Sequence, residues 1–234
     1  MPSPPTPPAA PPAWAALALA LVAACAPERG RDPFTASGEV IALSGGDAGA
    51  SRACFTCHGM SGEGDGHSTP RLAGLPAGYL QRQLIDYADG RRADKVMAPI
   101  AKALDADDRR AVSDYYAALV LPPRLVPAAQ PQGGAARLYH EGDPARGLPA
   151  CASCHGAAGE GIGPANPPLA GQPPAYLAEQ MRRWRSSERR NDPLNVMLAI
   201  SRRLTPDEVE ALAQYASAPA PAAAPASVSP AASR

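Results

Sequence analysis

The chain has 234 residues, with 22 basic and 22 acidic side chains, no formal net charge and an apolar share of 45%. That balance excludes the basic footprint of a nucleic-acid binder. Clusters such as Arg182, Arg183, Arg185 and Arg189, Arg190 are interleaved with acids and read as a solvated helix face.

Residues 1–37 are rich in Pro and Ala and read as an export leader and tether. Trp14–Ala24 forms a short apolar run, too short to cross a bilayer as a retained helix. It ends in Leu21-Val22-Ala23-Ala24-Cys25, where small residues before Cys25 resemble a lipoprotein cleavage site with an acylated cysteine. The segment ahead of the run has no Lys or Arg, unlike an ordinary leader. A plain peptidase cut after Ala26 is the alternative, disfavoured by the adjacent Pro27.

A short helix is predicted around Glu39–Ser44, followed by Cys54-Phe55-Thr56-Cys57-His58. In C-x-x-C-H each thiol can add across a haem vinyl group, and the histidine is then held under the iron as an axial ligand. Beyond a Gly-rich loop, Leu80, Leu84 and Tyr87 mark one stripe of a second helix. A last helix carries Val112, Tyr115, Tyr116 and Leu119 behind an Asp105 cap. Pro122, Pro123, Pro127 and Pro131 mark residues 121–133 as a linker.

Then the pattern recurs. A helix around Ala135–Glu141 precedes Cys151-Ala152-Ser153-Cys154-His155; Leu177, Met181 and Trp184 repeat the stripe; Thr205-Pro206-Asp207-Glu208 is a capping box. An offset of 97 carries Cys54, Cys57 and His58 onto Cys151, Cys154 and His155, and Gly62-Glu63-Gly64 onto Gly159-Glu160-Gly161. After three extra residues, placed in the Arg-rich segment Arg182–Asp192, the offset becomes 100 and Met97 meets Met197. The chain therefore divides into units over 38–120 and 134–217, with a disordered tail over 218–234. No β-branched strand run appears, and few helices with long Gly/Pro loops give an all-α unit.

Zinc, a structural disulfide or a dithiol redox site compete for the cysteines. A zinc ribbon wants its pairs roughly 15–20 residues apart, a thioredoxin-like dithiol would sit in a βαβ pattern that the sequence lacks, and a structural disulfide does not explain a histidine at the same place twice. Two covalent haems are the expectation. The paired methionines, Met97 and Met197, are nominated as sixth ligands against the alternative of a flexible core filler. A thioether favours ferrous iron and occupies the position a substrate would take. His67 and His140 have no partners in the repeat. Pro70 and Pro167, in P-x-L elements, are placed where a backbone carbonyl could accept the other ring N–H of the proximal histidine; shaping a loop is the alternative.

The doubled C-x-x-C-H-G, G-E-G, P-x-L-A-G, Tyr-Leu-x-x-Gln and downstream methionine resemble a dihaem class I cytochrome of the cytochrome c4 family over about residues 38–217. The resemblance implies two tandem cytochrome c domains with propionate edges facing each other. It also implies a periplasmic respiratory-chain carrier between the quinol-oxidising cytochrome bc complex and a terminal oxidase, not an enzyme. A dihaem subunit of a periplasmic dehydrogenase is the alternative. Arg91 has no clear twin in the second unit, which leaves a propionate-binding role for it open.

Overall fold

The computed structural model describes residues 37–120 and 134–218. The leader with Cys25, the linker and the tail lie outside them, save Ser37 and Ala218 at their edges. The first repeat contains α1 (Gly38–Ser44), α2 (Phe55–His58), α3 (Ala77–Ala88), α4 (Met97–Ala103) and α5 (Ala106–Ala118). The second contains α6 (Gly134–His140), α7 (Ala152–His155), α8 (Pro174–Arg185), α9 (Val196–Arg203) and α10 (Pro206–Ser217). Among the described residues β pairing is confined to isolated bridges, one of which joins Arg92 to Arg189.

Side-chain chemistry sets the helix ends. The Ser37 hydroxyl accepts from Val40 N–H, and α1 stops at Gly45 in the left-handed conformation. Asp105 accepts from Asp108 N–H at the start of α5. At α10 the box is complete: Thr205 Oγ1 accepts from Glu208 N–H, and the Glu208 carboxylate accepts from Thr205 N–H. Each such cap contributes about 1 kcal/mol.

Both repeats are assembled alike. In the first, α1 and α3 pack on α5 while α4 packs on α3; in the second, α6 and α8 pack on α10 and α9 on α8. Ile41, Leu80, Leu104 and Val112 make one core, and their repeat partners Leu138, Leu177, Leu204 and Leu212 the other. Burying each such side chain contributes roughly 1.5–3 kcal/mol.

The seam between the repeats overturns the reading of the basic cluster. Arg189 is only 4% exposed, as is Arg92, which it faces. Ala93 N–H donates to the Glu188 carbonyl at 3.2 Å and Arg190 N–H to the Arg91 carbonyl at 2.7 Å. Arg183 reaches Asp94 across the seam at 3.0 Å. Only the outer part of the cluster, including Arg182 with Glu179 and Glu210, is solvated.

This pairing also resets the register of the duplication. Arg92 and Arg189 are 97 apart, and Gly90 and Ser187, equally spaced, both have left-handed backbones, φ 76° and 63°. The offset therefore holds through Arg190, and the extra residues fall after it, within Asn191–Asn195 at the end of the Arg-rich segment and just past it. Gly90-Arg91 corresponds to Ser187-Glu188, a match that residue type alone conceals.

Candidate haem sites

Each attachment motif is wound into a single helical turn. His58 N–H donates to the Cys54 carbonyl and His155 N–H to the Cys151 carbonyl, both at 2.9 Å, so cysteine and histidine project from one short spiral. The glycine after each histidine is required. Gly59 and Gly156 have φ 81° and 83°, and a Cβ on either would overlap the carboxyl of Glu63 or Glu160 folded back against it. Those carboxylates accept from Ser61 N–H and Ala158 N–H, both at 2.8 Å, while Gly64 and Gly161 N–H donate to the His58 and His155 carbonyls at 2.7 Å. The G-E-G triplet thus clasps the turn that bears the histidine.

No disulfide joins the four cysteines of the motifs. Burial pushes Cys54 and Cys151 up to about 11, so both stay protonated and neutral at pH 7. A structural zinc needs four converging donors, and among the described residues no group of three or more His, Cys, Asp or Glu converges to hold one. Cys54 and Cys151, packed against the two cores, and the exposed Cys57 and Cys154 are left for thioether attachment.

The histidine rings are oriented from behind. Nδ1 of His58 stands 2.9 Å from the Pro70 carbonyl and Nδ1 of His155 2.9 Å from the Pro167 carbonyl. With Nδ1–H donating, the Nε2 lone pair of each ring is available to iron. Burial holds both imidazoles below the usual histidine range, favouring the neutral form that coordinates.

Met97 is the first residue of α4, and the Asp94 carboxylate accepts from its N–H at 2.8 Å and from Val96 N–H at 2.9 Å. Met197 is the second residue of α9, reached through Leu194 and Asn195 at φ 57° and 56°. Asp192 accepts there from Leu198 N–H at 3.2 Å. Both methionines are half-buried. His67 is exposed in a loop organised by Asp65, and exposed His140 meets the Tyr215 hydroxyl at 2.7 Å.

The seam's polar residues include the tyrosines and glutamines of the doubled Tyr-Leu-x-x-Gln element, whereas their partners Arg92 and Arg189 do not stand out in the sequence. Arg92 donates to Gln83, Gln180 and Tyr176; Arg189 donates to Gln180, Gln83, Asn191 and Tyr79. The signal was present, since Tyr79, Gln83 and Arg92 all meet their like at the same offset of 97.

Comparison with known proteins agrees with this geometry. The cytochrome c family model matches residues 46–119 and again 136–217. The thiosulfate dehydrogenase electron acceptor of Stutzerimonas stutzeri is 41% identical over 77% of this chain and 85% of its own length. Cytochrome c4 of Thiocapsa roseopersicina is 35% identical over 73% and 88%. Among solved structures, reduced cytochrome c4 from Pseudomonas stutzeri superposes with a TM-score of 0.65 at 29% identity, covering 76% of this chain and 98% of that one. Thiosulfate dehydrogenase from Marichromatium purpuratum gives 0.67 at 42% identity over 83% of this chain, which spans only 42% of that longer chain. With two attachment motifs, an all-helical fold and these relatives, the chain belongs to the cytochrome c family as a dihaem class I cytochrome of the c4 type, an electron-transfer protein carrying two covalent haems c.

Proposed function

We propose that this cytochrome is the electron acceptor of a thiosulfate-oxidising dehydrogenase in the periplasm and passes the electrons on toward a terminal oxidase. The observation that carries the choice of donor is the 41% identity to proteins named thiosulfate dehydrogenase electron acceptor, in Stutzerimonas stutzeri and in Thiomonas intermedia, against 30–35% for those named cytochrome c4. The donor is thus the dehydrogenase of the alternative reading rather than the cytochrome bc complex.

Each haem supplies a one-electron ferric/ferrous couple. In the proposed sites Cys54, Cys57, Cys151 and Cys154 attach the haems, His58 and His155 ligate the irons, and Met97 and Met197 close the sixth positions. Pro70 and Pro167 fix the histidine tautomers. Two such centres, over 38–120 and 134–217, let one chain take up a pair of electrons. Mixing the oxidised protein with purified thiosulfate dehydrogenase and thiosulfate, then adding membranes that contain a terminal oxidase, tests the route. Rapid reduction of both haems followed by reoxidation is expected. Failure of the dehydrogenase to reduce it, with prompt reduction by quinol and the bc complex, returns the donor to the bc complex.

Membrane attachment is proposed through a lipidated Cys25, on the ground of the Leu21-Val22-Ala23-Ala24 run that precedes it. Several acyl chains hold firmly at about 0.8 kcal/mol per buried methylene. Cys25→Ser should move the protein from the membrane to the soluble fraction; an intact mass with no acyl group would sink the proposal.

A further inference from the structure

The carbonyls that orient the two histidines belong to unlike peptide units. The Pro70 carbonyl, 2.9 Å from His58 Nδ1, is joined to the nitrogen of Arg71, which carries a hydrogen. The Pro167 carbonyl, 2.9 Å from His155 Nδ1, is joined to the nitrogen of Pro168, which carries none. The Arg71 N–H is engaged from the other repeat: it donates to Gln172 Oε1 at 3.1 Å, and Gln172 Nε2 donates back to the Arg71 carbonyl at 2.9 Å. Gln172 is 5% exposed, so these bonds are shielded from water. Its amide can face only one way, because the reverse would set donor against donor and acceptor against acceptor. At the offset of 97 its counterpart is Leu75, held by the same turn. Gln172 N–H donates to the Leu169 carbonyl and Leu75 N–H to the Leu72 carbonyl, both at 3.1 Å. The backbone is shared and the side chain is not: Leu75 joins the first core, whereas Gln172 crosses to the other repeat.

We propose that Gln172 is a positioning residue for the iron site of the first repeat, acting from the second repeat through the Pro70–Arg71 peptide on His58. A peptide whose N–H is bonded accepts more strongly at its carbonyl, since hydrogen bonds in a chain polarise one another. The bond from His58 Nδ1–H is thereby strengthened, and the ring becomes a more basic ligand at Nε2. A more basic ligand favours ferric iron, and hydrogen bonding behind the ligands is one of the protein's levers on a haem potential. Pro168 denies the second repeat this bond, so the device lowers the potential of one haem alone. The proposal rests on His58 as an axial ligand and is independent of which donor reduces the protein.

The test uses the dihaem holoprotein, with both potentials resolved by spectroelectrochemistry and the His58 ring protons followed by NMR in the ferrous state. Gln172→Leu installs the side chain found at the matching position of the first repeat. It should move the reduction equilibrium of the first-repeat haem about threefold toward ferrous iron, roughly 30 mV for one electron, and leave the other haem unmoved. The His58 Nδ1–H resonance should move upfield as its bond weakens. Arg71→Pro removes the same N–H without touching Gln172. Measured against Arg71→Ala, which also lacks the guanidinium but keeps the N–H, it should raise the same potential alone. Gln172→Leu made in the Arg71→Pro background should then add nothing. Equal shifts at both haems, no shift in either comparison, or a Gln172→Leu shift that persists in full in the Arg71→Pro background overturns the proposal, because Gln172 would then only clamp the two repeats together. His58 ring protons without the upfield displacement of an axial imidazole would overturn the ligation itself, and the proposal with it.

Discussion

The two repeats differ least around the attachment motifs and most around the methionines proposed as sixth ligands. Bonds around the attachment turn are of equal length in the two repeats: 2.9 Å from each histidine to its proline, 2.8 Å to Glu63 and Glu160, 2.7 Å from Gly64 and Gly161. The methionine sides have diverged. Asp94 pins the start of α4 with two backbone bonds, whereas α9 follows an inserted turn whose Leu194 is 94% exposed. His58 is buried and His155 half-buried. Among the described residues, the buried side-chain polar atoms without partners, Trp184 Nε1, Asp192 Oδ1 and Ser201 Oγ, all lie in the second repeat. One frame thus attaches two haems identically while leaving their other surroundings free to differ. That divergence gives a route to unequal potentials from a duplicated chain.

The largest expected effect comes from exchanging the proposed far-side ligands. Met97→His and Met197→His replace a soft thioether that favours ferrous iron with an imidazole. Each should lower the potential of its own haem by on the order of 0.1 V, within the ~0.8 V that axial ligands command, and leave the other nearly unmoved. Redox titration followed at the haem bands reads both at once. Two unaltered potentials in both variants would remove methionine from the sixth position.

Much of the fold was legible because its signals are contiguous. The C-x-x-C-H run, the Thr205–Glu208 box and the stripe through Leu80 and Tyr87 each lie within one or two helical turns, where spacing translates directly into geometry. The seam was not legible in this way. Arg189 meets Gln83 and Tyr79 more than a hundred positions away in the chain, and an arginine among acids looks the same in sequence whether solvated or buried. The displaced insertion has the same origin. Ser187 takes the left-handed backbone of Gly90 without sharing its side chain, so residue matching lost the register that the backbone keeps.

A smaller effect should separate the repeats at the base of their first helices. Gly38 begins α1 against α5 so closely that a Cβ there would overlap the Ala111 carbonyl oxygen. The offset of 97 places Ala135, 8% exposed, at the same point of the second repeat. By helix propensity alone Gly38→Ala should stabilise, by at most about 1 kcal/mol. The overlap is with backbone, which cannot rotate away, and overpacking of this kind costs about 1–3 kcal/mol. Gly38→Ala is therefore expected to destabilise by about 1–2 kcal/mol, after the small propensity gain at a helix end. Ala135→Gly loses one buried methyl and some helix propensity, about 1 kcal/mol. Thermal unfolding of both holoproteins, followed by far-ultraviolet circular dichroism, should place the Gly38→Ala midpoint lower by a few degrees. A midpoint raised by Gly38→Ala would show that α1 can lift from α5 without loss, and that the tighter approach in the first repeat does not contribute to its stability.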